Sequence, residues 1–99
     1  TKPFGANLSI KDIPVLSGAR EHLSNNISSS LAFSNKKAIN FTSRITKQDH
    51  IIFDPQTSGG LVVYVNKIKA NHVLEKLKKS YHHASIIGEV IEKHEIILN

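Results

Sequence analysis

The sequence predicts an α/β (α+β) fold, a mixed β-sheet with helices packed on it, in the order β-α-(α)-β-α-β-β. Three observations carry that reading. The chain opens on a segment that alternates apolar and polar residues, its second half holds a lysine-faced amphipathic helix, and β-branched runs stand on both sides of that helix. A helix with one apolar stripe and strands with one apolar face must bury them against each other, which gives layers.

From Ala6 to Val15 the text "ANLSIKDIPV" places Leu8, Ile10 and Ile13 as a half-buried strand would, ending near Pro14. Ser17 is placed to cap a helix through "GAREHLSNNISSSLAF", where Leu16, Ala19, Leu23, Ile27 and Leu31 drift around one face. Asn25, Asn26 and Ser28 to Ser30 are mediocre helix formers, so a break is expected in its second half. Ala38, Phe41 and Ile45 are spaced for a short helix, with Ser34 or Asn35 as its cap. Leu61 to Val65 does not alternate and therefore reads as a buried strand. Ala70, Val73, Leu74, Leu77 and Tyr81 form one helical face with lysines opposite. After it, "ASIIGEVIE" and "EIILN" flank Lys93-His94 and read as an antiparallel hairpin.

With 99 residues, no internal repeat and no linker, the chain is one domain, residues 1–99, or part of one. It starts Thr1-Lys2-Pro3 and contains no Met, which suggests a piece of a longer polypeptide. Having no cysteine, it holds no disulfide framework, zinc-thiolate site or thiol nucleophile, and it fits a reducing cytoplasm. No apolar run approaches the roughly 18 to 20 residues that span a bilayer, and no signal segment opens the chain. The sequons at Asn7, Asn26 and Asn40 are accordingly read as chance matches. The net charge is +5, and Lys67, Lys69, Lys76, Lys78 and Lys79 supply much of it. No aromatic interleaving accompanies these lysines, so they read as the solvated face of a helix and not as a nucleic-acid surface.

The stretch "IIFDPQTSGGLVVYV" sets Asp-Pro, two hydroxyls and two glycines between two apolar runs. Pro55 fixes φ at a value that suits a turn, and Asp54 can accept N–H bonds from the residues just beyond it. Gly59 and Gly60 let another group approach the main chain, beside the hydroxyls of Thr57 and Ser58. Consecutive N–H groups in such a bend can form an anion-binding concavity suited to phosphate. The spacing is not that of a phosphate-binding G-x-x-x-x-G-K-S/T loop, and on spacing alone a capped turn leading into a strand explains it as well.

The string "DPQTSGGL" closely resembles the C-terminal domain signature of selenophosphate synthetases (selenide, water dikinases), members of the aminoimidazole ribonucleotide synthetase-like superfamily. "GANLSIKDIPVLSGA" resembles the family's strand, its "(I/V)PVL" turn and the following helix, and "IIGEV" is similar to a later family strand. The likeness covers most of the chain and thins between about Ser24 and Lys47. It implies the C-terminal half of a synthetase C-terminal domain, in an enzyme that uses ATP, magnesium, water and selenide to make selenophosphate, releasing AMP and phosphate. Carried over residue by residue, Gln56, Thr57, Ser58, Gly59 and Gly60 would line the phosphate-side cleft, while Asp54 and Pro55 hold the turn. The implied partner is the upstream N-terminal ATP-binding domain of the same enzyme.

The departures are equally specific. The family's reactive cysteine or selenocysteine with its nearby lysine, its acidic magnesium ligands and its "DVTGFGL"-like helix start are missing from these residues. Phosphoryl transfer needs metal to neutralise charge on the moving group, and one carboxylate in a turn does not supply that. No catalytic residue and no metal ligand is therefore assigned here, no tightly bound cofactor is expected, and the chain by itself is expected to be inactive. His22, His50, His72, His82, His83 and His94 lack metal-site spacing, and Ser58 in T-S-G-G is not a hydrolase elbow. A second reading is a stand-alone or degenerate module that binds a partner or nucleotide without catalysis. Exposed apolar surface left by a partial domain predicts a homo-oligomer.

Overall fold

In a computed structural model of the chain, residues 4–38, 48–55 and 60–99 are described. Three strands, β1 (Gly5–Leu8), β2 (Gly88–Ile91) and β3 (Ile96–Leu98), form a mixed sheet in the order β2-β1-β3. β1 runs antiparallel to β2, with Ala6 opposite Val90, and parallel to β3, with Ala6 opposite Ile96. This is an α+β architecture, as the residue pattern predicts.

Two details differ from the expected order. "GEVI" and "IIL" are both strands, but they do not form a hairpin, because β1 lies between them. The reason is visible at two glycines. A Cβ on Gly5 would fall on the Glu95 carbonyl, and one on Gly88 on the Asn7 carbonyl, so both strands close on β1 where side chains are missing. Leu61–Val65 is the second correction. It belongs to no strand or helix, and it is exposed along its length, Leu61 to 93% and Tyr64 to 79%.

The first strand stops at Leu8, earlier than the alternation suggests, and the chain tightens into a 3₁₀ turn at Ile10–Asp12 that buries Ile10. Helix α1 (Ala19–Ser24) begins after Gly18, whose φ of 84° takes the place of the expected Ser17 cap. It ends at Asn25-Asn26, and Asn26 adopts φ 63°, a left-handed value that Asn tolerates better than most residues. The expected break therefore separates α1 from α2 (Leu31–Lys37). Ser34 and Asn35 lie inside α2 and cap nothing; the helix expected over Ala38, Phe41 and Ile45 falls mostly outside the described residues.

Helices α1 and α2 both pack on a 3₁₀ turn at Gln48–Phe53, which sets Phe53 at only 2% exposure. Arg20 of α1 donates from its guanidinium to the Ile10 carbonyl at 3.1 Å and ties this cluster to the end of β1. Helix α3 (Ala70–Lys78) follows a 3₁₀ turn at Lys67–Lys69, where the Asn66 side chain accepts from the Ile68 N–H at 3.0 Å. Ala70, Val73, Leu74 and Leu77 are half-buried on one face, as their spacing predicts. Tyr81 lies past the helix end and is exposed. Among the described residues the buried apolar side chains are Ile10, Phe53 and Leu98. The chain presents 8050 Å² to solvent, against about 5600 Å² for a compact protein of its mass.

Candidate functional site

The bend that the sequence singles out is anchored on its entry side. The Asp54 N–H donates to the Ile51 carbonyl at 3.2 Å, closing the last 3₁₀ turn. The Phe53 carbonyl accepts from the Asn35 side-chain amide at 2.7 Å, so α2 grips the backbone one residue before Asp54. The Phe53 ring is buried and meets the His50 ring edge-on at 5.7 Å, while Lys36 Nζ lies 3.5 Å from His50 Nε2. Asp54 is half-buried and Pro55 is exposed.

Gln56, Thr57, Ser58 and Gly59 lie outside the described residues. Gly60, on the exit side, is exposed, and a Cβ there would meet no heavy atom within 4 Å. Its φ is not in the left-handed range, which Gly18 occupies among the described glycines. The described fold thus gives no steric or dihedral reason for glycine at position 60. A Cβ-free position in open space leaves room for an incoming group to approach the main chain.

A separate cleft of about 330 Å³ opens at the carboxyl ends of the parallel strands β1 and β3. It is lined by Asn7, Ser9, Asp12, Ile86, Gly88, Glu89 and Asn99, with Asn99 donating its side-chain amide to that of Asn7. Asp12 and Glu89 make its lining acidic, which disfavours phosphate. Sequence reasoning misses this cleft because Asn7 and Asn99 lie 92 positions apart and share no motif.

Among the described residues no three His, Cys, Asp or Glu side chains converge as metal ligands do. A magnesium ion with a nucleotide needs one or two carboxylates placed beside the phosphates. Asp54 is the motif's only carboxylate, and Asp12 and Glu89 belong to the cleft. The described residues do not make a magnesium site, and no chemical step is derived through one. No helix among them is long and apolar enough to cross a membrane.

Comparison with known proteins gives one answer. A selenide, water dikinase of Caldanaerobacter subterraneus subsp. tengcongensis is 39% identical over 88 residues, covering 84% of this chain and 26% of that protein. The enzyme of the same name from Bdellovibrio bacteriovorus is 35% identical over 60 residues, covering 61% of this chain and 17% of its own length. That of Campylobacter jejuni subsp. jejuni is 29% identical over 85 residues, covering 85% of this chain and 25% of its own length. No protein-family model matches the chain, and no solved structure does.

The fold and the motif together define a small α+β piece of a larger protein. The chain belongs to the selenide, water dikinase family, and it spans about a quarter or less of the length of the curated relatives that it matches.

Proposed function

We propose that this chain is the C-terminal portion of an enzyme that makes selenophosphate from selenide, ATP and water, releasing AMP and phosphate. In that enzyme Gln56, Thr57, Ser58, Gly59 and Gly60 form a wall of the cleft beside the nucleotide's phosphates. One observation carries the reading. A match covering 84% of the chain must include Asp54–Leu61, and there the string "DPQTSGGL" combines N–H donors, hydroxyls and missing Cβ atoms. ATP and magnesium belong to the whole enzyme, whose metal ligands and reactive residues come from its upstream N-terminal ATP-binding domain. The setting is the cytoplasm.

Leu16, Ile27, Leu31 and Phe33 are exposed, Leu16 to 86% and Phe33 to 68%. In this reading they meet the upstream domain. Left without it, the same apolar surface drives the isolated chain into a homo-oligomer.

The test is a chimera in which this chain replaces the matching stretch of the Caldanaerobacter relative. Selenide-dependent formation of AMP from ATP is expected to persist. Gly60→Leu in the chimera is expected to lower it at least tenfold, about 1.4 kcal/mol of lost stabilisation, with the fold unchanged by circular dichroism. A folded chimera without activity, or a Gly60→Leu chimera as active as its parent, refutes the proposal. The isolated chain is expected to form no AMP.

A further inference from the structure

Lys36 differs from every other lysine among the described residues. The others are exposed, whereas Lys36, on the last turn of α2, is half-buried. Its side chain reaches across to the 3₁₀ turn at Gln48–Phe53, where Nζ lies 3.5 Å from His50 Nε2. An ammonium has three donors and no acceptor, so Nε2 is the acceptor in that contact. Among the described residues the ion pair is Lys67 with Glu89, and no carboxylate meets Lys36. A cation drawn partly out of water is stabilised by an opposite charge beside it, and the described residues supply none.

The two nitrogens stand on elements that are fastened together. The His50 ring meets the buried Phe53 ring edge-on at 5.7 Å, and Asn35, next to Lys36, donates to the Phe53 carbonyl at 2.7 Å. Groups held in this way keep their spacing when a ligand arrives. Lys37 is engaged elsewhere, its Nζ 4.4 Å from the centre of the Phe33 ring. On α1, which packs on the same turn, Arg20 donates to the Ile10 carbonyl, and Glu21 and His22 are exposed.

We infer that Lys36 and His50 are the two donors of an oxyanion site whose ligand is a phosphate group. Nitrogens this close cannot serve separate anions, but one anion with several oxygens takes a bond from each. A phosphate monoester carries about −1.5 to −2 charges at neutral pH and three acceptor oxygens, and a lysine ammonium meets it as a point charge. A carboxylate brings one charge and two oxygens. On binding, His50 Nε2 changes from acceptor to donor, by tautomer or by proton uptake, and Lys36 gains a counter-charge. The carbonyl end of α2 opposes an anion only weakly, because the helix is seven residues long. The site stands on the entry side of the bend, whose string "DPQTSGGL" has no lysine or arginine of its own. It takes free phosphate or the phosphate of a nucleotide, and it does not depend on the proposed reaction.

The test is an NMR titration of the unmodified chain with sodium phosphate at constant ionic strength and pH, followed on the imidazole signals of its six histidines. The His50 signal, assigned by its loss in His50→Gln, is expected to shift saturably while the others stay in place. Lys36→Ala is expected to weaken binding at least about tenfold, Lys37→Ala less than about twofold, and Lys36→Arg to keep most of it. Circular dichroism checks that each variant is folded. Adenosine, AMP and ATP form the second arm. A His50 shift at lower concentrations of AMP or ATP than of phosphate assigns the site to a nucleotide; an equal or weaker response assigns it to free phosphate, and both support it. A His50 signal that stays still overturns the site, as does one that responds equally to adenosine or keeps its midpoint in Lys36→Ala. Equal movement of all six histidines marks non-specific salt binding and overturns it as well. An inactive chimera with the His50 response intact refutes the proposed reaction and leaves this site standing.

Discussion

Two apolar runs flank the same bend and meet opposite fates. Ile51-Ile52-Phe53, on the entry side, is wound into a 3₁₀ turn under α1 and α2, and its Phe53 is 2% exposed. Leu61–Val65, on the exit side, is longer and also rich in β-branched residues, yet it lies open to solvent with Val62 64% exposed. The difference is not one of hydrophobicity. The entry run is joined to the rest of the fold by short-range helices and by the Asn35 bond to the Phe53 carbonyl. Among the described residues the exit run is followed by one exposed ion pair, Lys67 with Glu89, two residues past Val65. Burial follows partners, and apolar character alone does not supply them.

That contrast can be broken from its strongest point downwards. Phe53→Ala removes the only side chain below 2–3% exposure among the described residues, and truncations of this kind cost about 3–5 kcal/mol. Urea denaturation is expected to show a chain with little or no cooperative transition; a loss below about 1 kcal/mol would mean that the entry run is no better anchored than the exit run. Asn35→Ala deletes the donor to the Phe53 carbonyl. It is expected to cost about 1 kcal/mol, read from the same denaturation midpoint. Lys67→Ala comes last. Its ammonium is 89% exposed and pairs with a carboxylate 54% exposed, so solvent screening keeps the effect below about 0.5 kcal/mol. A larger loss, measured at low and high salt, would show that the exit run is held more firmly than its exposure suggests.

The same contrast explains what the sequence makes legible. Local signals survive well. The stripe Ala70, Val73, Leu74 and Leu77 becomes the inner face of α3, and the weak helix formers at Asn25-Asn26 become the break after α1. "GEVI" and "IIL" are strands because their β-branched side chains say so within a few residues. Non-local choices are not written this way. The pair looks like a hairpin until β1, from the other end of the chain, takes the place between them. For the bend, the string "DPQTSGGL" resembles the family signature, while the described geometry gives no steric or dihedral reason for glycine at position 60. The acidic cleft stays hidden because it is assembled from segments that share no spacing.

Placing β1 between β2 and β3 has a consequence for biosynthesis. Among the described residues Gly5–Leu8 finds its strand neighbours only at residues 88–98, so it has none until about 80 later residues have been made. At translation rates of about 5–20 residues per second the opening segment waits on the order of 5–20 s, unpaired, while later codons are read. The shorter-range contacts around Phe53 need no such wait, so the pairing of β1 is the last of these contacts to become available.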